Sequence, residues 1–177
     1  MSADLLKALE ELMLSKQIDD IRTSELISKA GVSRTSFYRK YRNKYDFLNQ
    51  SYQKILDVTL DQIPEGASYK TSFFRLYQVL AANAGFFSNA LSSNEPDGLK
   101  AYIGKTSVVR FRKMFREQGM DVDDPDFMLK LYGYVYGTLE VTCVWVRDQI
   151  QSVEDLFKIS LELMPSDFQM CLAVYYL

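Results

Sequence analysis

Apolar residues recur three and four positions apart through most of the chain, which is the spacing of amphipathic α-helices. The first such stripe runs through Leu5, Leu9 and Leu12 and predicts a helix over residues 4–15. Residue types that cap helix N-termini mark the starts of most later helices. The predicted caps are Thr23, Ser33, Asn43, Asp124 and Ser152, and their helices end near residues 30, 38, 62, 149 and 164.

Two more helices complete the pattern, one containing Phe73 to Ala84 and one over 99–117. Pro64 and Gly66 lie together in the clearest break of the chain. We find no pair of strands and no internal repeat. The sequence therefore predicts an all-α fold of about nine helices.

The chain is predicted to contain two units of unequal size. Residues 1–48 are predicted to form a small N-terminal domain of three helices, and residues 49–177 a larger helical bundle. The fourth helix, over 44–62, links the two units. The apolar tail after Pro165 is assigned no structure from its sequence.

Charge is concentrated in one segment. The 177 residues carry a net charge of −2, but residues 21–44 contain seven Lys and Arg and a single Glu, a local net charge of +6. A local basic surface on an otherwise acidic protein is what phosphate binding requires. The alternative is an ordinary solvated basic surface on a helical hairpin.

The same segment has the pattern of a helix-turn-helix motif. Gly31 permits the left-handed backbone of a sharp turn between two short helices, and Leu26 and Phe37 supply the apolar contact between them. The second helix of such a motif can enter the major groove. Three residues at its exposed N-terminal end are predicted to contact bases: Arg34, Thr35 and Ser36.

The stretch TSELISKAGVSRTSFYRKYRNKYDFL, residues 23–48, resembles the DNA-binding domain of the TetR/AcrR family of bacterial transcription regulators. The features that carry the resemblance are the glycine-valine-serine turn, an aromatic-tyrosine pair, and a later aromatic, cap, lysine and leucine. In this chain they are Gly31, Val32, Ser33, Phe37, Tyr38, Tyr41, Asn43, Lys44 and Leu48. Three positions depart from the usual family pattern: Ile27, Lys40 and Tyr41.

The resemblance implies a role for residues around the turn. Thr23, Tyr38 and Lys44 are expected to contact DNA phosphates, with the dipole of the fourth helix assisting Lys44. Arg39 and Lys40 add positive charge and are assigned to phosphate as well. No cofactor and no metal are expected.

The family places an effector pocket and a dimer interface in the C-terminal bundle. Aromatic residues of the bundle are candidate pocket residues, although such a stripe is also typical of an ordinary core. The candidates are Phe73, Tyr77, Tyr102, Phe111, Phe115, Tyr134 and Trp145.

The segment LYGYVYGTLEVTCVWV is apolar on too many sides for a helix at the edge of a monomer. We predict that this segment and the helix over 152–164 together form the two-fold interface of a dimer. The alternative is that the segment is a central core helix of a monomer. The candidate interface residues are Gly133, Gly137, Val141, Leu156, Ile159 and Leu163.

Composition argues against several other classes. The chain has no histidine, and its two cysteines, Cys143 and Cys171, match no metal-ligand spacing, so an enzyme is not expected. The N-terminus has acidic residues within a helical pattern, and no uncharged apolar run reaches 18 residues. We expect a cytoplasmic protein without a membrane span.

These features together predict a ligand-responsive homodimeric repressor that binds a palindromic operator in double-stranded DNA through the major groove. Two alternatives remain open at the level of sequence. One is a co-activator, and the other is a small-molecule-binding or protein-binding module of the same fold without direct DNA binding. An all-helical enzyme is the least supported class.

Overall fold

The computed structural model describes residues 1–61, 69–149 and 151–172, which contain ten α-helices and no strand. The predicted all-α class is confirmed. The helices are α1 (Ser2–Met13), α2 (Thr23–Lys29), α3 (Arg34–Tyr38), α4 (Lys44–Leu56), α5 (Tyr69–Ala82), α6 (Ala84–Leu91), α7 (Leu99–Glu117), α8 (Pro125–Asp148), α9 (Val153–Glu162) and α10 (Ser166–Leu172). The predicted break at Pro64 and Gly66 and the predicted end of the fourth helix at residue 62 lie outside the described residues.

Four predicted N-caps have the expected hydrogen bonds. Each cap side chain accepts from the backbone N–H three residues on, which satisfies one of the free donors of a helix start. These caps are Ser33, Asn43, Asp124 and Ser152, the last within a full capping box. Thr23 is a correction, because Arg22 is the N-cap of α2 and Thr23 is the first helical residue.

The predicted helix from Phe73 to Ala84 is two helices in the structure. Asn83 leaves the helical conformation (φ −126°, ψ 34°) and separates α5 from α6. Apolar residues continue at helical spacing across this break, through Phe86 and Phe87, so the pattern gave no sign of it. This division and helix α10 in the tail supply the two helices that the sequence pattern did not locate.

Helix α4 continues from Leu56 into a π-helical segment over Asp57–Asp61. A π-helical turn holds one more residue per turn than an α-helix and is frequent at functional sites. The side chain of Thr59 donates to the Ile55 carbonyl at 2.7 Å, which is a local alternative to the regular backbone bond.

One apolar core extends from α1 through α9 and joins the N-terminal unit to the bundle. Helix α4 lies between the two units and contributes Phe47, Leu48, Tyr52 and Leu56 to this core. A second cluster surrounds Phe168 of α10, whose ring lies 4.5 Å from that of Phe115 and 5.1 Å from that of Phe127. The N-terminal unit is therefore packed onto the bundle.

Asn89 of α6 makes the most concentrated polar contact between the two units. Its Oδ1 accepts from the Ile18 N–H at 2.8 Å, and its Nδ2 donates to the carbonyls of Met13 (3.1 Å) and Lys16 (2.7 Å). One side chain thus satisfies three backbone groups where α1 ends. Asn49 of α4 donates to the Asp97 carbonyl at 2.8 Å and so links α4 to the segment before α7.

We expect Asn89→Ala to lower the free energy of unfolding by about 1–3 kcal/mol, because partly buried backbone groups would lose their hydrogen bonds. Asn83→Ala is the matched control, since the Asn83 side chain donates to the Val79 carbonyl, which lies in the same unit as Asn83. Urea denaturation followed by circular dichroism measures both. Equal losses in the two variants would show that Asn89 does not hold the units together.

Candidate nucleic-acid interface

The turn between α2 and α3 has the conformation that its sequence predicts. Gly31 has φ +63°, in the left-handed region that glycine adopts at little cost. The N–H groups of Gly31 and Val32 donate to the carbonyls of Ser28 and Ile27, and these bonds close the end of α2. A Cβ at position 31 would touch no atom within 4 Å, so backbone conformation, not space, requires this glycine.

Aromatic side chains pack against the inner side of α3. Phe37 and Leu26 are fully buried. The ring of Phe37 lies 5.3 Å from that of Tyr41, which in turn lies 5.1 Å from the ring of Phe47 on α4. The inner side of α3 is thus fixed against α4, and its other side remains in solvent.

The three predicted base-contacting residues differ in their surroundings. Arg34 and Thr35 are exposed. Ser36 is half-buried. The Ser36 N–H donates to Ser33 Oγ at 3.1 Å, and the Ser33 hydroxyl donates to the Ser36 hydroxyl at 2.9 Å. Arg34 and Thr35 therefore present free side chains, while Ser36 also belongs to the helix cap.

Three of the seven basic residues of the segment are either paired with a carboxylate or buried. Lys29 pairs with Glu11 at 2.8 Å, Arg42 pairs with Asp46 at 3.7 Å, and Lys44 is buried. Four exposed residues form no salt bridge within the described part of the chain, and we call them the free cations: Arg22, Arg34, Arg39 and Lys40. The only acid of the segment, Glu25, is paired with Lys16 at 2.5 Å.

Tyr38 lies one turn after Arg34 on α3, so both side chains leave the helix on the same side. It is 53% exposed, a high value for a tyrosine, and its ring packs edge-on against Phe37. The side chain is thus supported at its base with the hydroxyl turned to solvent, as a phosphate contact requires.

Lys44 has a structural role that the sequence did not reveal. Only 6% of the residue is exposed, and its Nζ donates to the carbonyls of Asp19 (2.7 Å) and Ile21 (2.6 Å). The ammonium also lies 4.7 Å from the centre of the Tyr45 ring. Burial lowers its pKa, and the negative charges of Asp19, Asp20 and Glu95 oppose that shift. A direct phosphate contact, as predicted for Lys44, would require the ammonium to leave both carbonyls.

Thr23 and Lys44 are brought together at the junction of α2 and α4. Thr23 Oγ1 accepts from the Lys44 backbone N–H at 3.3 Å. Tyr45 strengthens this junction by donating its hydroxyl to Asp19 Oδ1 at 2.7 Å. Burial and the Asp19 carboxylate raise the pKa of the Tyr45 hydroxyl, which keeps it protonated as the donor.

A cavity of about 80 Å³ lies inside the bundle, where helices α4, α5, α7 and α8 face one another. Four of the seven predicted pocket residues line it: Phe73, Tyr77, Phe111 and Tyr134. The other three lie elsewhere. Tyr102 donates to Gln53 Oε1 at 2.9 Å, Phe115 belongs to the second core cluster, and the Trp145 indole donates to the Gln151 carbonyl at 2.9 Å.

The predicted interface residues differ in their exposure to solvent. Gly133, Gly137, Ile159 and Leu163 are exposed, whereas Leu156 is 1% exposed and Val141 packs against the core. The structure therefore assigns Leu156 to the core of its own subunit. Exposed apolar residues of α8 were missed by the prediction because a helix that is apolar nearly all round does not show which side is outward. They are Leu129, Tyr132, Tyr136 and Val144.

Two further searches covered the described part of the chain. Among those residues, no group of His, Cys, Asp and Glu side chains is arranged to hold a metal ion. None of the helices has the length and apolar character needed to cross a membrane.

Comparison with known proteins identifies the N-terminal part. Residues 5–50 match the family model described as "Bacterial regulatory proteins, tetR family". A search of curated proteins found no match.

Solved structures extend the similarity to the fold of the whole chain. The "Dihydroxyacetone kinase operon activator DhaS" superposes with a TM-score of 0.64 at 14% identity, covering 98% of this chain and 97% of that one. The "fatty acid degradation regulator FadR from Bacillus halodurans" superposes with a TM-score of 0.56 at 19% identity, covering 97% and 94%. The chain thus shares the all-α fold of these two regulators, and its residues 5–50, which contain the helix-turn-helix, match the tetR family model.

Proposed function

We propose that this protein is a cytoplasmic, homodimeric and ligand-responsive repressor that binds a palindromic operator through the major groove. The observation that carries the proposal is the outer side of α3, where Arg34, Thr35 and Tyr38 are exposed above a buried aromatic support. The free cations supply a positive surface on a chain of net charge −2. That combination favours DNA over other partners.

The residues have separate roles in this proposal. Arg34 and Thr35 read base edges, with Ser36 holding the cap that orients them. Tyr38 and the other free cations contact phosphates, which position the protein without reading sequence. Thr23 and Lys44 hold the N-terminus of α4 beside α2, and the positive end of the α4 dipole faces the backbone of the DNA.

An apolar stripe on α8 supports the dimer. Leu129, Tyr132, Tyr136 and Val144 follow one another at helical spacing and are 39–73% exposed, and the rings of Tyr132 and Tyr136 stack 5.9 Å apart. Gly133 and Gly137 lie along the same side with open space above them. A second copy of the chain would cover this stripe together with Ile159 and Leu163 of α9. Two recognition helices about 34–36 Å apart would then read successive major grooves.

Helix α4 supports the ligand response. Its first residue, Lys44, is bonded to the carbonyls of Asp19 and Ile21 in the N-terminal unit, and Tyr52 and Leu56 of its last turns line the cavity. A ligand that enlarged the cavity would displace α4 and change the spacing of the two recognition helices. The response is then a shift between two states that differ in operator affinity.

Activation is the second candidate mode. The similar structure DhaS is described as an operon activator, and the same DNA contacts serve either mode. Transcription measured with the operator upstream of, and then overlapping, a promoter separates repression from activation.

We expect Arg34→Ala to reduce discrimination between operator and shuffled DNA by about 1–3 kcal/mol, because a bidentate base contact would be lost. Lys29→Ala is the matched control, since its ammonium already pairs with Glu11. Fluorescence anisotropy with a selected operator, at several salt concentrations, measures both affinities. An equal loss on operator and shuffled DNA would place Arg34 on phosphate instead.

We expect Gly137→Arg to convert the dimer to a monomer and abolish tight operator binding. A Cβ at this position meets no atom within 4 Å in the subunit, and arginine is the better helix former by up to about 1 kcal/mol, so the monomer should fold. Gly85→Arg makes the same change at another open, exposed glycine and should stay dimeric. Sedimentation measures the mass. If the Gly137→Arg variant remained a dimer, the interface would not lie on this side of α8.

A further inference from the structure

The cavity in the bundle is apolar on most sides and polar at a few defined points. Its walls are mainly aliphatic and aromatic side chains from α4 to α8, such as Leu56, Leu80, Ile103, Phe111 and Leu139. Binding sites for small molecules commonly have this character, with a few polar groups that fix the orientation of the ligand.

One hydroxyl group of the lining has no hydrogen-bond partner. It is Thr138 Oγ1, which is buried and unpartnered among the described residues. The Tyr52 side chain also lines the cavity, and the residue is only 4% exposed. Burial raises the pKa of the Tyr77 hydroxyl, and the nearby side chains of Ser160 and Thr142 oppose that shift. Buried hydroxyls without partners are uncommon in native proteins and call for an explanation.

Arg110 is the one charged side chain among the described residues that line the cavity. Burial raises the pKa of Tyr52, and the positive charge of Arg110 opposes that shift, so the field of Arg110 reaches a polar group of the lining. Arg110 has contacts of its own. A guanidinium has five N–H donors, however, and can bind a further acceptor beside an existing partner.

We propose that this cavity binds a small molecule with an apolar body and a carboxylate head group. Arg110 neutralises the carboxylate, and the hydroxyls of Tyr52 and Thr138 donate to the same acceptor-rich group. This inference rests on the ligand-responsive part of the proposed function and names the chemical class of the effector.

The volume of the cavity implies that it expands on binding. Its 80 Å³ is smaller than the roughly 150 Å³ of an apolar cavity that accepts benzene. Leu60 lies on the π-helical continuation of α4 and lines the cavity with Tyr52 and Leu56. Binding therefore pushes against the helix that reaches the DNA-binding domain.

Matched probes test the head group. Phenylacetate, phenylacetamide and 2-phenylethylamine share a body and differ in charge, as do hexanoate, hexanamide and hexylamine. Isothermal titration of the full chain, without DNA, should show at least tenfold tighter binding of a carboxylate than of its amide, and no binding of the amine. Arg110→Gln should remove the preference for carboxylate over amide. Arg112→Gln is the control on the same helix, because Arg112 pairs with Asp123 at the surface.

Three results would overturn the inference: no carboxylate binds the wild-type chain, an amine binds as tightly as its carboxylate, or the Arg110→Gln variant keeps the preference. Circular dichroism confirms that each variant is folded. Operator binding is measured separately by anisotropy. Carboxylate binding without operator binding would refute the regulator and leave this inference standing, whereas operator binding without carboxylate binding would refute this inference alone.

Discussion

The buried ammonium of Lys44 fixes the helix on which both halves of the molecule depend. Placing a charge in the interior is costly unless hydrogen bonds replace the lost water. Here two backbone carbonyls, an aromatic ring and three nearby carboxylates offset that cost. Because the carbonyls belong to Asp19 and Ile21, the start of α4 cannot move without disturbing the segment that leads into α2.

The other end of α4 lies in the core of the bundle, where Tyr52 and Leu56 are buried. Its regular hydrogen bonding changes to a π-helical pattern after Leu56, beside a cavity in which the buried Thr138 hydroxyl has no partner among the described residues. Hydrogen bonds of Asn89 tie the N-terminal unit to the bundle, and a hydrogen bond of Asn49 ties α4 to the segment before α7.

Local sequence rules predicted four of the five proposed helix caps and the conformation of the turn. The caps at Ser33, Asn43, Asp124 and Ser152 form because each side chain reaches a backbone N–H three residues away. Gly31 adopts a positive φ because the turn requires it. The break at Asn83 was not predicted, since the apolar pattern is the same on both sides of it.

The sequence alone thus determined the helical class, the helix-turn-helix motif and the concentration of positive charge, because these depend on periodicity, caps and composition within short stretches. Only the tertiary structure decided which basic residues are free: Lys44 is buried, Lys29 and Arg42 are paired, and four others remain in solvent. It also decided which aromatic residues line a cavity and which apolar side of α8 faces outward. Those properties depend on residues distant in the chain, whose positions become defined only when the helices pack.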